Sequence, residues 1–419
     1  MDPSLLKAPE EGEASEARRV ASLLVHLPFC VPFASRLRVL RCWLEADRQA
    51  RASGALSSPL LTIRRGHLLE DAYAALRGDG QMLRSGLRVR FLGLDELEEA
   101  GVGPGVSLEF LVDLLQEGFD PKARLFLRGA DGSLYPNPAA HLSVPDATGY
   151  WAMLGAALAK TLYEGVLVEL PLARCFLNQL LQRTNAFCEL PLFDPQLHAS
   201  LMFLKKFEGN LDDLCLSFAI EQYTDEHVPS AYRRQVELKP GGADVSVTRE
   251  NRVEYTFLVS HFRLNVQLKR PCEAFLRGFE QVVPREWINM FSPTELQLVL
   301  GGSDAPLDVD DWRAHATYSG GYFGEHPVVG WFWQVLHGFS AEQRAGLLKF
   351  VTSCSRPPLM GFEWLQPPFC IQRATAEEGR LPTSATCVNL LKLPPYDSIE
   401  LLREKLVYAI EAGCGFELS

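Results

Sequence analysis

The stretch LPTSATCVNLLKLPPYDS, residues 381–398, sets one thiol, Cys387, between a run of small residues and an apolar segment that closes on two prolines. Taken alone, such a cysteine is more often a small buried hydrophobe at the start of a strand than a nucleophile. A second chemistry is open to it. Thr383, Ser384, Ala385 and Thr386 are all small, so something large can approach the sulfur. An unperturbed thiol has a pKa of about 8.5 and therefore a few per cent thiolate near neutrality. That serves poorly against an amide. It is enough when the electrophile is already a thioester, because one thiolate then replaces another at nearly equal energy. Such an exchange needs no adjacent histidine, and none lies near Cys387 in the sequence.

Other signatures of chemistry fail. GVGPGVS (101–107) is glycine-rich, but no Gly-Lys-Ser/Thr follows it, so a phosphate loop is not expected. In GGSDA (301–305), Ala305 stands where the turn of a serine nucleophile requires a second glycine. No HExxH occurs, and His261, His315, His326 and His337 are scattered, each better read as a surface or core histidine than as a ligand or base. The ten cysteines form no CxxC pair, which indicates neither a zinc site nor a redox dithiol. No metal or cofactor is expected. A cysteine hydrolase needs a positioned histidine and an oxyanion site, and nothing here supplies that pairing.

The net charge of −11 argues against nucleic acid as a principal partner, since phosphate binding needs a basic surface. No run of 18 apolar residues free of charges and breakers is present, so no membrane span is expected. The opening MDPSLLKAPEEGEASEARR lacks a hydrophobic signal core, and no Asn-x-Ser/Thr sequon occurs. Cytoplasmic or nuclear residence with reduced thiols is the expectation.

The elements that must position Cys387 come from 419 residues, 47% of them apolar, which predicts two or three units. Residues 1–32 read as a disordered leader. Leu37, Val39, Leu40 and Leu44 predict a helix over 33–52, and Leu87, Val89 and Phe91 alternate as a strand. SLEFLVDLLQEGF predicts a helix with Ser107 as N-cap and Gly118 as its stop. GYWAMLGAALAKTLYEGVLVELPLARCFLNQLLQ predicts two buried helices. A more polar segment, 190–265, reads as a smaller inserted subdomain, with a helix opened by Asp194 and Pro195 and a strand at DVSVT through Val245 and Val247. The first large unit then runs over 33–300. GGSDAPLD, 301–308, reads as a hinge. In the second unit, 309–419, LPTSATC is expected as loop and VNLLKL as strand. The last helix is expected to carry a capping box from Asp397 and Glu400 and an apolar stripe of Ile399, Leu402, Leu406 and Ile410. Segregated helices and strands indicate an α+β fold.

With its neighbours in view, LPTSATCVNLLKLPPY resembles the active-site signature of the HECT ubiquitin-protein ligases. Leu381, Pro382, Thr386, Cys387, Asn389, Leu391, Leu393, Pro394 and Tyr396 match it. LLKFVTSCSRPPLMGF (347–362), YSGGYFGEHPVVGWFW (318–333), ELKPGGADVSVTRENRVEY (237–255) and LYPNPAA (134–140) are similar to further family segments in the same order. The ending GFELS resembles the subfamily of ubiquitin-protein ligases three-B and three-C. The resemblance implies two lobes joined by a hinge, and an N-lobe whose smaller subdomain, 190–265, binds a ubiquitin-conjugating enzyme. It implies that ubiquitin passes to Cys387 as a thioester and then to a substrate lysine as an isopeptide, with Thr386 beside the nucleophile and Phe416 supporting transfer. It carries the conjugating-enzyme groove onto Leu197, Leu201, Phe207, Leu216 and Tyr255. Proteasomal degradation of substrates follows as an expectation. Many relatives have a histidine where this chain has Ala385. Members usually carry long N-terminal regions that choose substrates, so substrate choice is expected in a region removed from this chain or in a partner. Either Glu417 or the terminal carboxylate of Ser419 is a candidate to orient the incoming amine. A non-catalytic adaptor that binds a conjugating enzyme is the alternative.

Overall fold

The computed structural model describes residues 22–24, 26–51, 60–77, 83–84, 86–93, 104–223, 232, 234–375 and 380–413. Two large hydrophobic clusters organise them, beside a small one of Ala139 and Tyr223. One runs from Leu24 to Leu300 and the other from Val309 to Ile410. The leader expected over 1–32 lies outside the described residues up to 21, whereas Leu24 is already 2% exposed and part of the first cluster.

Helix α1 (Phe33–Arg51) buries the Leu37, Leu40 and Leu44 stripe. Strands β1 (Leu60–Arg64) and β2 (Arg88–Leu92) pair in parallel, with Ile63 opposite Phe91. Helix α2 (Leu68–Leu76) lies between them in the chain. Helix α3 (Pro104–Phe119) begins earlier than the sequence suggests. Ser107 is not its N-cap: the hydroxyl donates to the Leu87 carbonyl and ties α3 to the start of β2. Gly118 lies inside the helix, where a Cβ would strike the Leu154 side chain at 2.4 Å. A hairpin of β3 (Phe126–Arg128) and β4 (Leu134–Pro136) follows.

Helix α4 (Ala147–Glu164) is the buried axis of this unit, followed by α5 (Arg174–Leu180). Asp146 caps α4 through the Gly149 amide. Helix α6 (Pro195–Lys206) starts as expected, its first turn capped by Asp194 accepting from the Leu197 amide. The expected strand at Val245 and Val247 is absent. A 3-10 turn, Gly242–Asp244, precedes these residues, and they form only an isolated Ser217–Ser246 bridge. The paired strands are β5 (Ala219–Glu221) and β6 (Gln235–Glu237). Asn251 explains the difference, because its side chain accepts from the Thr248 amide and turns the chain into α7 (Arg252–His261) before a ladder can extend. A π-helical segment, Phe262–Val266, joins α7 to α8 (Gln267–Glu280). Helices α4 and α8 cross closely. A Cβ at Gly278 would lie 1.7 Å from the Ala152 carbonyl oxygen, so only glycine fits. Helix α9 (Pro293–Gly301) opens with a Ser292/Glu295 capping box and ends the first unit.

After 302–308, the second unit builds α10 (Val309–Ala314), β7 (Thr317–Ser319), α11 (Pro327–His337), α12 (Ala341–Thr352), β8 (Cys370–Arg373), β9 (Thr383–Ala385), β10 (Leu390–Leu393) and α13 (Ile399–Gly413). Its sheet has the order β7-β8-β10-β9, parallel except for β9. Trp312, Phe332, Trp333 and Phe369 fill its core, and Leu402, Leu406 and Ile410 of α13 pack on them as the stripe predicts. The cap of α13 comes from Ser398, whose hydroxyl accepts from the Leu401 amide, and not from Asp397. The fold class is α+β.

Candidate functional site

The small residues before Cys387 are not a loop. Thr383–Ala385 form β9, antiparallel to β10 at the sheet edge, with Ala385 opposite Leu390 and Thr383 opposite Lys392. Between the two strands the chain makes one 3-10 turn, Thr386–Val388, closed by the Asn389 amide donating to the Thr386 carbonyl at 3.3 Å. Cys387 is the middle residue of that turn. Strand β10 therefore begins at Leu390, not at Val388. Asn389 takes the left-handed conformation, φ 51°, which lets the chain reverse into β10.

Both units reach this turn. Helix α12 packs on it from within the second unit, and α3 packs on it from the first. Leu108, Glu109 and Val112 of α3 line one crevice with Thr386 and Asn389; its volume is about 40 Å³, room for a few waters. The seam continues in polar contacts. The Glu169 carboxylate accepts from the Ser355 amide at 2.5 Å and from the Ser355 hydroxyl. The Cys354 thiol reaches the same carboxylate at 3.8 Å. Arg41 of α1 lies 4.8 Å over the Trp364 ring and donates to the Trp364 carbonyl.

Electrostatics set several other thiols aside. Burial pushes Cys175 and Cys354 each up to about 12 and raises Cys272 well above its ordinary value, so all three stay protonated and inert near neutrality. Among the described residues no group of three or more His, Cys, Asp or Glu could hold a metal ion. No helix of the described residues is long and apolar enough to cross a membrane. Phe416, Glu417 and Ser419 lie outside the described residues.

The five groove residues have unequal places. Leu201 is 3% and Tyr255 7% exposed, both within the first core, so neither presents a surface. Leu197, Phe207 and Leu216 are half-buried against that core. The most exposed apolar side chains of this segment among the described residues are Phe203 on α6 and Val253 and Phe257 on α7, each about 60% exposed on two helices that pack together. A sequence signal for them existed: Phe203 falls off the Leu197, Leu201 and Leu204 stripe, and Val253 and Phe257 stand four apart, out of phase with buried Tyr255 and Val259.

Against known proteins, residues 112–419 match the HECT-domain (ubiquitin-transferase) family. The chain is 44% identical over 416 residues to E3 ubiquitin-protein ligase UPL6 of Arabidopsis thaliana, covering 96% of this chain and 40% of that protein. It is 37% identical to Ubiquitin-protein ligase E3B of Mus musculus, covering 96% of this chain and 41% of that protein. It is 35% identical to E3 ubiquitin-protein ligase HUL5 of Saccharomyces cerevisiae, covering 96% of this chain and 45% of that protein. The chain thus spans about two fifths of the length of the curated relatives it matches.

Proposed function

Since this chain belongs to the HECT family of ubiquitin transferases, we propose that it is the thioester-forming unit of an E3 ubiquitin ligase, with Cys387 as acceptor. The Cys387 thiolate attacks the carbonyl that joins ubiquitin's C-terminus to a conjugating enzyme. A new C–S bond forms, the old one breaks, and the conjugating enzyme leaves as its thiolate. A substrate lysine then attacks the Cys387 thioester; the C–N bond forms, the Cys387 thiolate departs, and the amine's proton passes to a base or to solvent. No metal or cofactor enters. The observation that carries the reading is the Thr-Cys-x-Asn turn at the sheet edge in a chain that matches the family over 112–419. Thr386 flanks the nucleophile on that turn. Phe416 supports the second transfer.

The smaller subdomain is the conjugating-enzyme site, with Phe203, Val253 and Phe257 as its exposed apolar contacts and Leu197, Phe207 and Leu216 at its margin. Buried Leu201 and Tyr255 hold that surface from behind. An exposed apolar patch of this kind suits a protein partner. Motion about 301–308 brings the two sites together. The reading extends to protein substrates marked for proteasomal degradation and to a cytoplasmic or nuclear location, the latter supported by ten cysteines without paired spacing.

Incubation of the full chain with activating enzyme, conjugating enzyme and ubiquitin tests this. The expected product is a thiol-labile adduct that is lost in Cys387→Ala and becomes a hydroxide-labile ester in Cys387→Ser. Phe416→Ala leaves that adduct and slows its discharge to lysine. An adduct that survives Cys387→Ala moves the nucleophile elsewhere. A chain that binds the loaded conjugating enzyme and is never charged is an adaptor.

A further inference from the structure

The residue after the turn does more than reverse the chain. Asn389 is 6% exposed, and its backbone N–H, its backbone carbonyl and its side-chain Nδ2 are each engaged. Its amide closes the turn on the Thr386 carbonyl, and its own carbonyl accepts from the Cys370 amide at 3.0 Å. Its side-chain Nδ2 donates to the Pro367 carbonyl at 2.7 Å, across 22 residues of sequence. A carbonyl only accepts, so the side-chain amide must turn its NH2 that way.

The Pro367 carbonyl is itself anchored. Two residues on, Phe369 is 1% exposed, its ring 5.0 Å from Trp312 in the core of the second unit. The Phe369 carbonyl accepts from the Thr317 amide at 2.8 Å and from the Thr317 hydroxyl at 3.1 Å. The segment that receives Asn389 is therefore fixed by the aromatic core on one side and by β7 on the other. A single 3-10 turn at a sheet edge has few hydrogen bonds of its own. Without the Asn389 side chain, the only hydrogen bonds among the described residues on the C-terminal flank of the Thr386–Val388 turn are those of the Asn389 backbone.

We infer that Asn389 is a positioning residue for Cys387: its side-chain bond to Pro367 fixes the turn against the aromatic core and so fixes where the acceptor thiol meets the incoming thioester. This rests on the function proposed above. Two properties are required together, tolerance of positive φ and a side-chain N–H donor two bonds from Cβ, and asparagine supplies both. Glycine keeps the first and removes the second, which separates the backbone role from the side-chain role. Displacing a reacting group by about 1 Å lowers a transfer rate on the order of a hundredfold.

The test uses the full chain and ubiquitin-loaded conjugating enzyme in single turnover, at a temperature where thermal melts show native and variant proteins folded. For Asn389→Gly the maximal rate of charging Cys387 falls about 10- to 100-fold, while the donor concentration at half-maximal rate stays native. Iodoacetamide, followed at Cys387 by peptide mass, still labels the thiol at close to the native rate, because a small reagent needs access and not alignment. Asn389→Asp keeps the size, loses the donor and shows the same pattern. Full-rate charging by either variant overturns the inference. So does a fall in alkylation parallel to the fall in charging, which marks a collapsed turn. A native chain that never becomes charged overturns the proposed function itself, a result distinct from native charging with a fully active Asn389→Gly.

Discussion

At the scale of single residues, Leu201 and Phe257 stand on neighbouring helices and answer to different demands. Leu201 is in the core, so Leu201→Ala costs about 2–5 kcal/mol of stability. Phe257 is 60% exposed, so Phe257→Ala shifts stability by no more than about 0.5 kcal/mol and, on the function proposed above, instead weakens conjugating-enzyme binding. Urea unfolding and calorimetric titration of both variants check this; equal affinity in Phe257→Ala and native protein moves the binding surface elsewhere. The site was legible in uneven measure for this reason. A short motif singled out Cys387 as the candidate, but the strand before it and the 3-10 turn that carries it were read as loop, because the pairing of β9 with β10 that shapes them is not written in the motif. The helix stripe through Leu197 and Leu201 revealed which residues share a face, but not whether that face meets the core or solvent. The partner surfaces that decide it, such as Tyr255 against Phe218 at 5.4 Å, come from far along the chain.

At the scale of elements, α1 and α9 are clamped by Arg36, whose guanidinium grips the Glu295 carboxylate, with one contact at 2.9 Å, and also donates to the Met290 carbonyl. Burial alone raises the Glu295 carboxyl, but hydrogen bonds from Arg36 and from the Ser292 amide outweigh it and hold the group below its ordinary value. A carboxyl depressed in the folded state binds its proton more readily once unfolded. Its stabilisation is complete above the unfolded pKa, about 4.3, and is lost as pH falls through the lower folded value. Thermal midpoints of native protein therefore drop on acidification below about pH 4, and Glu295→Gln is less stable at pH 7 with a shallower acid limb. An unaltered acid limb assigns acid sensitivity to other carboxylates. Elements with strong periodicity, such as α1 and α13, were legible from the sequence, and α4 was legible as a long run of small apolar residues. Caps were less so: Ser107 has the right type for a cap, yet its hydroxyl serves β2, a contact that only tertiary packing creates.

At the scale of the whole molecule, the two clusters could be anticipated from chain length and from the glycines and proline near 301–308. Their seam could not. Glu169 and Ser355 are 186 residues apart, and Arg41 and Trp364 are 323 apart. No local pattern announces contacts at such separations. Removing both, in Arg41→Ala/Glu169→Ala, leaves each core intact and loosens the arrangement. The radius of gyration from small-angle scattering then rises while the melting transition shifts little. An unchanged radius means that the apolar packing of α3 on the second unit suffices.

Helix α3 walls one flank of the turn that bears Cys387, and the crevice between them admits only a few waters. On the next residue, Val388 is 38% exposed. While the halves are seated in this way, the tip has a blind side and a doorway. On the function proposed above, an acceptor lysine arriving from the wrong quarter meets protein, whatever its surrounding sequence. The angle of approach would then screen acceptors before any recognition of their identity begins.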